Sequence, residues 1–153
     1  LEEVLTEGMS DYEKEVVLYE WIVRNVAYDW THSDPTAETA RTSYTPYGAL
    51  VDRSAVCLGY AEAFRLLLEM AGVECLTVTG ASRGNDHAWN QVKLDGAWYC
   101  VDVTWDTTNY SSFTDEREWR FFNVTSDYMA RTGHQWDYGA VPEAVSESHG
   151  VPA

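Results

Sequence analysis

Basic residues are scarce in this sequence. Ten Lys and Arg residues stand against 25 Asp and Glu, and only two of the ten are lysines, so the formal net charge is −15. A surface of this sign repels a phosphate backbone, and we therefore expect no nucleic-acid partner. Long apolar runs are missing too, since no stretch approaches the roughly 18 residues of a membrane-spanning helix. These two deficits favour a soluble protein with an acidic, solubilising surface.

Cysteine is also rare. The three thiols, Cys57, Cys75 and Cys100, cannot all pair, so at least one stays free even in an oxidising compartment. Their spacing matches no zinc motif, and we expect no metal and no other cofactor. The chain begins at Leu1 without an initiating Met, which predicts a fragment of a longer protein whose leader, if any, is not seen. Its 153 residues suffice for one domain with a real core, and we predict a single domain over residues 1–153.

The most apolar stretch, residues 55–72, predicts a central buried helix. Apolar residues recur at helical spacing from Cys57 to Ala71, and Gly72 suits a helix C-cap. Cys57 falls in the first turn, where unpaired N–H groups and the helix dipole favour the nucleophilic thiolate. The same N–H groups are suited to hold the oxygen of a tetrahedral intermediate. Cys57 is thus a candidate nucleophile; the alternative is a small buried apolar residue.

The segments before this helix have simpler signals. Ser10 and Glu13 form a capping-box pattern that predicts a helix through about Asn25. Residues 30–46 are polar and turn-forming, and so long a connection is a candidate cleft-lining loop. We interpret His32 within it as a surface histidine. Pro46 is suited to start a short helix that ends near Val51.

The segments after the helix change to a period of two. Strands are predicted at residues 75–79, 87–94 and 97–105, with a turn over 80–86 and a two-residue hairpin at Asp95-Gly96. Residues 106–118 are expected to form a loop and residues 119–124 a further strand. Ser126 is expected to cap a short helix over 127–132 that Gly133 ends.

The hairpin also predicts which side chains meet. Pairing Leu94 with Ala97 places Trp89 opposite Asp102 on one face of the sheet, and His87 shares that face as a diagonal neighbour of Asp102. Asp102 would then orient the imidazole of His87, which would take a proton from Cys57 and return it to a leaving group. The structural alternatives are a satisfied histidine at a strand end and a carboxylate that caps a loop.

Three motifs resemble the transglutaminase-like superfamily: Val56-Cys57-Leu58-Gly59-Tyr60-Ala61, then His87-Ala88-Trp89-Asn90, then residues 98–105 around Asp102. The match is strongest over residues 46–106 and closest to the bacterial and archaeal branch. It implies an α+β, papain-like fold in which a central helix that carries the Cys packs on an antiparallel β-sheet. It also implies Cys57 as nucleophile, His87 as general base and acid, and Asp102 as the orienting carboxylate. His134, in a tail that resembles some bacterial members, is interpreted as structural.

The remaining site residues are less well specified. The backbone N–H of Cys57 is the expected oxyanion donor, and Tyr60 or an aromatic residue of the 28–47 region is a further candidate. Trp89 is a candidate wall of the cleft. Core packing is the alternative for both Tyr60 and Trp89.

Departures from the animal protein-crosslinking enzymes bear on the reaction. Those enzymes carry Trp directly after the nucleophile, whereas Leu58 follows Cys57 here. We therefore expect hydrolysis or acyl transfer on a peptide or protein amide, with cell-wall peptide among the candidate substrates. The acidic, lysine-poor composition and the bacterial resemblance predict a location at the surface or outside of a bacterial cell. The alternative is a non-catalytic module that binds peptide or glycan on the same scaffold. The sequence leaves the oligomeric state open.

Overall fold

The structure is a computed structural model that describes residues 2–34, 36–37, 41–110 and 119–150, without the side chains of residues 109 and 110. Its regular elements in these ranges are, in chain order, α1 (Asp11–Asn25), β1 (Ala27–Tyr28), β2 (Ser54–Ala55), α2 (Cys57–Met70), β3 (Cys75–Ser82), β4 (Asn85–Leu94), β5 (Ala97–Val101), α3 (Val103–Tyr110), α4 (Ser126–Arg131) and β6 (His134–Gln135).

Helix α1 begins where its capping box predicts. Ser10 Oγ accepts a hydrogen bond from the backbone N–H of Glu13 at 3.1 Å, and Glu13 Oε1 accepts from the N–H of Ser10 at 3.4 Å. Two of the four unpaired N–H groups of the first turn are thereby satisfied. Leu18, Tyr19 and Ile22 then face the core, each no more than 1% exposed. The prediction of this helix is confirmed at both ends.

Helix α2 begins at Cys57, as predicted, and buries one face through Tyr60, Phe64 and Leu68, whereas Leu66 and Met70 are exposed. Its first turn is in close contact with the preceding loop, because a Cβ at Gly59 would lie only 2.3 Å from the carbonyl oxygen of Ser43. Gly72 follows the helix with a φ of +84°, a left-handed conformation that favours glycine. Before α2, a single turn of π-helix over Gly48–Asp52 occupies the place of the predicted short helix.

The main sheet is antiparallel, with strand order β5-β4-β3-β6. Leu94 pairs with Ala97 across the Asp95-Gly96 turn, so the predicted hairpin register is confirmed. The predicted turn over 80–86 is wrong in extent. Strand β3 continues to Ser82, and a two-residue turn at Arg83 and Gly84, with φ values of 51° and 80°, leads directly into β4. Positive φ at both central residues matches the right-handed twist of the two strands.

Hydrophobic clusters cover both faces of this sheet. One cluster joins α1 and α2 to the face that carries Val92, Tyr99 and Val101. The other covers the face of Val78, Trp89 and Cys100 with residues from 121–144, among them Met129, which is fully buried. The Cys-bearing helix therefore packs on an antiparallel sheet, and the predicted α+β, papain-like architecture is confirmed.

One predicted strand is wrong in extent, and another does not form as a regular strand. The return strand ends at Val101 instead of Trp105, because Asp102 Oδ1 accepts a hydrogen bond from the N–H of Trp105 at 3.2 Å and caps α3. Helix α3 also occupies the start of the loop predicted over 106–118; residues 111–118 lie outside the described part of the chain. Residues 119–124 make only one bridge to the sheet, between Cys100 and Val124, because Asn123 adopts a φ of 52°.

Two smaller expectations need adjustment. Thr125 instead of Ser126 caps α4, which starts one residue earlier than predicted and ends before Gly133. In the part of the chain that the structure describes, no helix is long and apolar enough to cross a bilayer.

Candidate active site

Cys57 is the first residue of α2 and is partly exposed, whereas Cys75 and Cys100 are buried. All three thiols are free. The residue before the helix, Val56, has no side-chain acceptor, and the first intrahelical bond runs from the N–H of Tyr60 to the carbonyl oxygen of Val56 at 3.0 Å. The N–H groups of the first turn therefore have no side-chain cap, which suits an oxyanion-binding turn.

His87 on β4 makes the contacts that a nucleophile–base–carboxylate arrangement requires. Its Nε2 atom lies 2.6 Å from Asp102 Oδ2. Because Nε2 is engaged with the carboxylate, Nδ1 is the ring nitrogen left for Cys57, which lines the same pocket. The predicted diagonal contact between His87 and Asp102 forms, although Asp102 lies just past the end of its strand.

The electrostatics of His87 favour an imidazolium. Burial by itself lowers the pKa of His87, but the hydrogen bonds and charges of Asp102 and Cys57 outweigh it and raise the pKa to about 9. At neutral pH the imidazole of His87 is therefore protonated, with Nε2 on the Asp102 carboxylate.

Hydrogen bonds to α3 and to the segment after residue 118 position Asp102. Its Oδ1 atom caps α3, and its N–H donates to the carbonyl oxygen of Phe121 at 2.8 Å. One turn further on, Asp106 receives hydrogen bonds from Tyr19 of α1 and from the N–H groups of Arg120 and Phe121. Asp102 is thus held from α3 and from the segment after residue 118, and its side chain is 1% exposed.

A pocket of about 620 Å³ opens onto Cys57 and His87. Tyr28, His32 and Tyr44 contribute to one side and Thr79, Gly80 and Asp86 to the other. Tyr28 reaches the pocket because β1 pairs in parallel with β2, which ends two residues before Cys57. Burial and the charge of Cys57 raise the pKa of Tyr28, so its hydroxyl stays a donor in the pocket.

The pocket agrees with the sequence analysis only in part. The described residues of the 30–46 segment do line it, through His32 and Tyr44, while residues 35 and 38–40 lie outside the description. His32, interpreted as a surface histidine, is half-buried there. Tyr28 and Tyr44 both belong to the 28–47 region whose aromatic residues were candidate donors. The sequence did not single out Asp86, since no local pattern shows that the start of β4 approaches Cys57.

Tyr60 and Trp89 are not among the lining residues of this pocket. Tyr60 is fully buried, and its hydroxyl donates to the carbonyl oxygen of Val26 at 3.0 Å. Trp89 is 2% exposed and packs edge-on against His134 behind the site. Both side chains occupy the core positions that were the alternative for them.

His134 on β6 adds a second imidazole at Asp102. Its Nε2 atom lies 2.7 Å from the same Oδ2 atom that binds His87. Among the described residues, these three side chains form a cluster whose ligand atoms all lie within 4.8 Å of one another. Ligands that share a tetrahedral zinc ion lie about 3.3 Å apart. The 2.6 and 2.7 Å contacts are shorter and fit hydrogen bonds instead.

Comparison with known proteins identifies the family. Residues 1–103 match the family model of the Transglutaminase-like superfamily, and the chain belongs to that superfamily. Among curated proteins it is similar to the Kyphoscoliosis peptidase of Mus musculus, with 36% identity over 129 residues, and to that of Homo sapiens, with 32% identity over 126 residues. The matches cover 73% and 74% of this chain but only 19% of each relative, so the chain spans about a fifth of their length.

A solved structure shares the fold. It is the crystal structure of a TGase, with a TM-score of 0.56 and 19% sequence identity to this chain. The match covers 90% of this chain and 37% of the TGase chain. At this identity the likeness concerns the fold alone.

Proposed function

We propose that the chain is a cysteine-dependent hydrolase or acyltransferase that acts on peptide or protein amides. The observation that carries the proposal is the connected arrangement of Cys57 at a helix N-terminus, His87 and Asp102 beside an open pocket. The name peptidase of the curated relatives supports a peptide substrate and favours hydrolysis. A bacterial, extracellular or cell-surface location remains a prediction from the sequence resemblance.

The proposed reaction has two stages. The Cys57 thiolate attacks the amide carbonyl carbon, and N–H groups of the first turn of α2, with the hydroxyl of Tyr28, hold the oxyanion. His87 gives its proton to the leaving amine, the C–N bond breaks, and a thioester remains on Cys57. Water or a second amine then attacks the thioester while His87 accepts its proton, and the sulfur leaves as thiolate. Asp102 keeps the imidazole oriented throughout.

The first test is the rate of Cys57 alkylation by iodoacetamide across pH 5 to 9, with each thiol mapped by mass spectrometry. At pH 6 an unperturbed thiol is less than about 1% ionised, and burial raises the pKa of Cys75 and Cys100 further. We expect Cys57 to react on the order of 100-fold faster than the other two thiols at pH 6. The advantage should vanish in His87→Ala and persist in His149→Ala, which removes a histidine outside the pocket.

Turnover provides the second test. Peptide libraries report hydrolysis, and incorporation of a labelled amine reports transfer. Cys57→Ala should abolish both without loss of the folded state, as checked by circular dichroism. Turnover retained in this variant would remove the proposal.

A binding module is the second candidate, and exposed aromatic residues favour it. Trp30, Tyr44 and Tyr47 are 75%, 45% and 56% exposed, and Tyr44 lines the pocket itself. Trp30 packs on Tyr28 with ring centroids 4.5 Å apart. Such rings suit peptide or glycan binding. An ordinary thiol profile at Cys57, together with saturable peptide or glycan binding, would favour this candidate over catalysis.

A further inference from the structure

His134 is a buried histidine that the proposed reaction does not use directly. Strand β6 pairs with the end of β3, with His134 opposite Ser82, and this pairing carries the ring beneath the site. The side chain is 0% exposed. It contacts the rings of Trp89, Trp105 and Phe121, at centroid distances of 4.9, 4.2 and 5.7 Å. An imidazole placed among aromatic rings needs a partner for each of its nitrogen atoms.

Both nitrogens of His134 face acceptors. Nδ1 lies 3.2 Å from the carbonyl oxygen of Met129, and Nε2 lies 2.7 Å from Asp102 Oδ2. A carbonyl oxygen cannot donate, and neither can an ionised carboxylate, so the ring satisfies both contacts only when both nitrogens carry hydrogen. The contact of Nε2 with the carboxylate is the shorter of the two, and it makes His134 a donor to Asp102.

This contact determines how Asp102 meets His87. Oδ1 accepts from the N–H of Trp105 at 3.2 Å, and Nε2 of His134 holds Oδ2 at 2.7 Å. The carboxylate then has little freedom to rotate, and its second Oδ2 lone pair points to His87. We propose that His134 is a positioning residue, which fixes the Asp102 carboxylate and so the imidazole of His87; the inference rests on the function proposed above.

The contact also bears on the charge of Asp102. Burial raises the pKa of this carboxyl, but the hydrogen bonds from His134 and His87 outweigh burial and hold it below its ordinary value. Without His134 only one histidine opposes burial, so Asp102 becomes protonated at a higher pH. A neutral Asp102 no longer stabilises the imidazolium of His87, and the thiolate is lost with it. Titratable and charged groups also surround Asp102 and His134. They are Cys57, His87, Asp106, Tyr19 and Arg83, which lies over Trp105.

The test compares two substitutions. His134→Phe keeps a ring among the aromatic neighbours but removes the donor to Asp102, whereas His134→Gln retains a side-chain donor toward Asp102. The matched control is His149→Phe, because His149 also binds a carboxylate, Asp95 Oδ2 at 2.9 Å, and also contacts aromatic rings, but lies outside the site.

We expect the acid limb of the Cys57 alkylation profile to move to higher pH by about one to two units in His134→Phe, the size of one hydrogen bond to a charged group. For an amide substrate, kcat should fall about 10- to 100-fold with KM little changed. His134→Gln should recover most of both effects. His149→Phe should show neither.

Several outcomes overturn the inference. The inference fails if folded His134→Phe shows an acid limb that is not shifted. It also fails if the activity of both His134 variants falls only in proportion to their folded fraction. If the variants do not fold, ring-nitrogen NMR shifts of the unmodified protein decide, since an Nε2 of His134 without a proton would rule out donation to Asp102. If the unmodified protein itself shows an ordinary thiol profile at Cys57, the proposed function fails first, and the two failures are thereby distinguished.

Discussion

Replacement of Glu15 by Gln should stabilise the protein increasingly as the pH rises. Glu15 lies on α1 with 0% exposure, and its Oε1 atom accepts one hydrogen bond, from Asn123 Nδ2 at 2.6 Å. Within the described residues its Oε2 atom has no hydrogen-bond partner. Burial therefore raises the pKa of Glu15 from 4.5 to about 8, although the bond from Asn123 lowers it somewhat.

The magnitude follows from proton linkage. A carboxyl whose pKa is higher in the folded state binds its proton more tightly there. The contribution of Glu15 to the free energy of unfolding is therefore fully present below pH 4.5 and is lost as the pH rises through 8. Between these values the free energy of unfolding falls by about 1.4 kcal/mol per pH unit on account of Glu15. The accumulated loss from pH 5 to pH 7 is about 2.5 kcal/mol, a large share of the 5–15 kcal/mol typical of a domain.

The assay is urea unfolding of the unmodified protein and of Glu15→Gln at half-unit steps from pH 5 to pH 8. Asp106 and His87, with pKa values raised to about 7 and about 9, also make the stability depend on pH, and they do so equally in both proteins. Only the difference between the two stability curves therefore reports Glu15. That difference should grow by about 2.5 kcal/mol from pH 5 to pH 7 in favour of Gln. Glu7→Gln, at an exposed position before α1, controls for the loss of one negative charge. A difference that stays constant across this range would refute the reasoning.

Two further substitutions probe the pocket and the first turn of α2. Tyr28→Phe should lower kcat for an amide substrate by about tenfold or more with little change in KM, because it removes a hydroxyl from the proposed oxyanion site. Tyr47→Phe, at an exposed tyrosine outside the pocket lining, is the control. An unchanged kcat in Tyr28→Phe would exclude Tyr28 as a donor. Gly59→Ala should lower the free energy of unfolding by about 1–3 kcal/mol, because the new methyl group would lie 2.3 Å from the carbonyl oxygen of Ser43. Gly139→Ala, whose new methyl group would meet nothing nearer than 3.5 Å, should be close to neutral, and equal thermal unfolding of the two alanine variants would contradict this account.

Much of the fold could be predicted because its signals are local. The capping box of Ser10 and Glu13 and the Asp95-Gly96 hairpin each depend on neighbours in sequence, and both are present in the structure. The hairpin also carried information about the site, because its register placed His87 and Asp102 on one face. That contact survives even though Asp102 leaves the strand, since the two residues need only be diagonal neighbours at its end.

The errors came where a competing hydrogen bond outweighs a preference for strand, through a local helix cap at Asp102 and through a tertiary contact at residues 119–124. Val101 and Val103 around Asp102 favour a strand, yet the carboxylate of Asp102 caps α3 and ends the strand. Residues 119–124 are rich in aromatic side chains that favour a strand, but the N–H groups of Arg120 and Phe121 bind Asp106 instead of a neighbouring strand. The partner that decided the conformation lies 14 or 15 residues away, beyond the reach of any periodic pattern.

The sequence by itself determined the Cys-bearing helix, the hairpin that joins His87 to Asp102, and membership in a family of this fold. Only the tertiary structure decided what surrounds these three residues. His134 reaches Asp102 because β6 pairs with β3, and Tyr28 reaches the pocket because β1 pairs with β2. Both strands are two residues long, too short to leave a pattern in the sequence, and long-range hydrogen bonding is what places them.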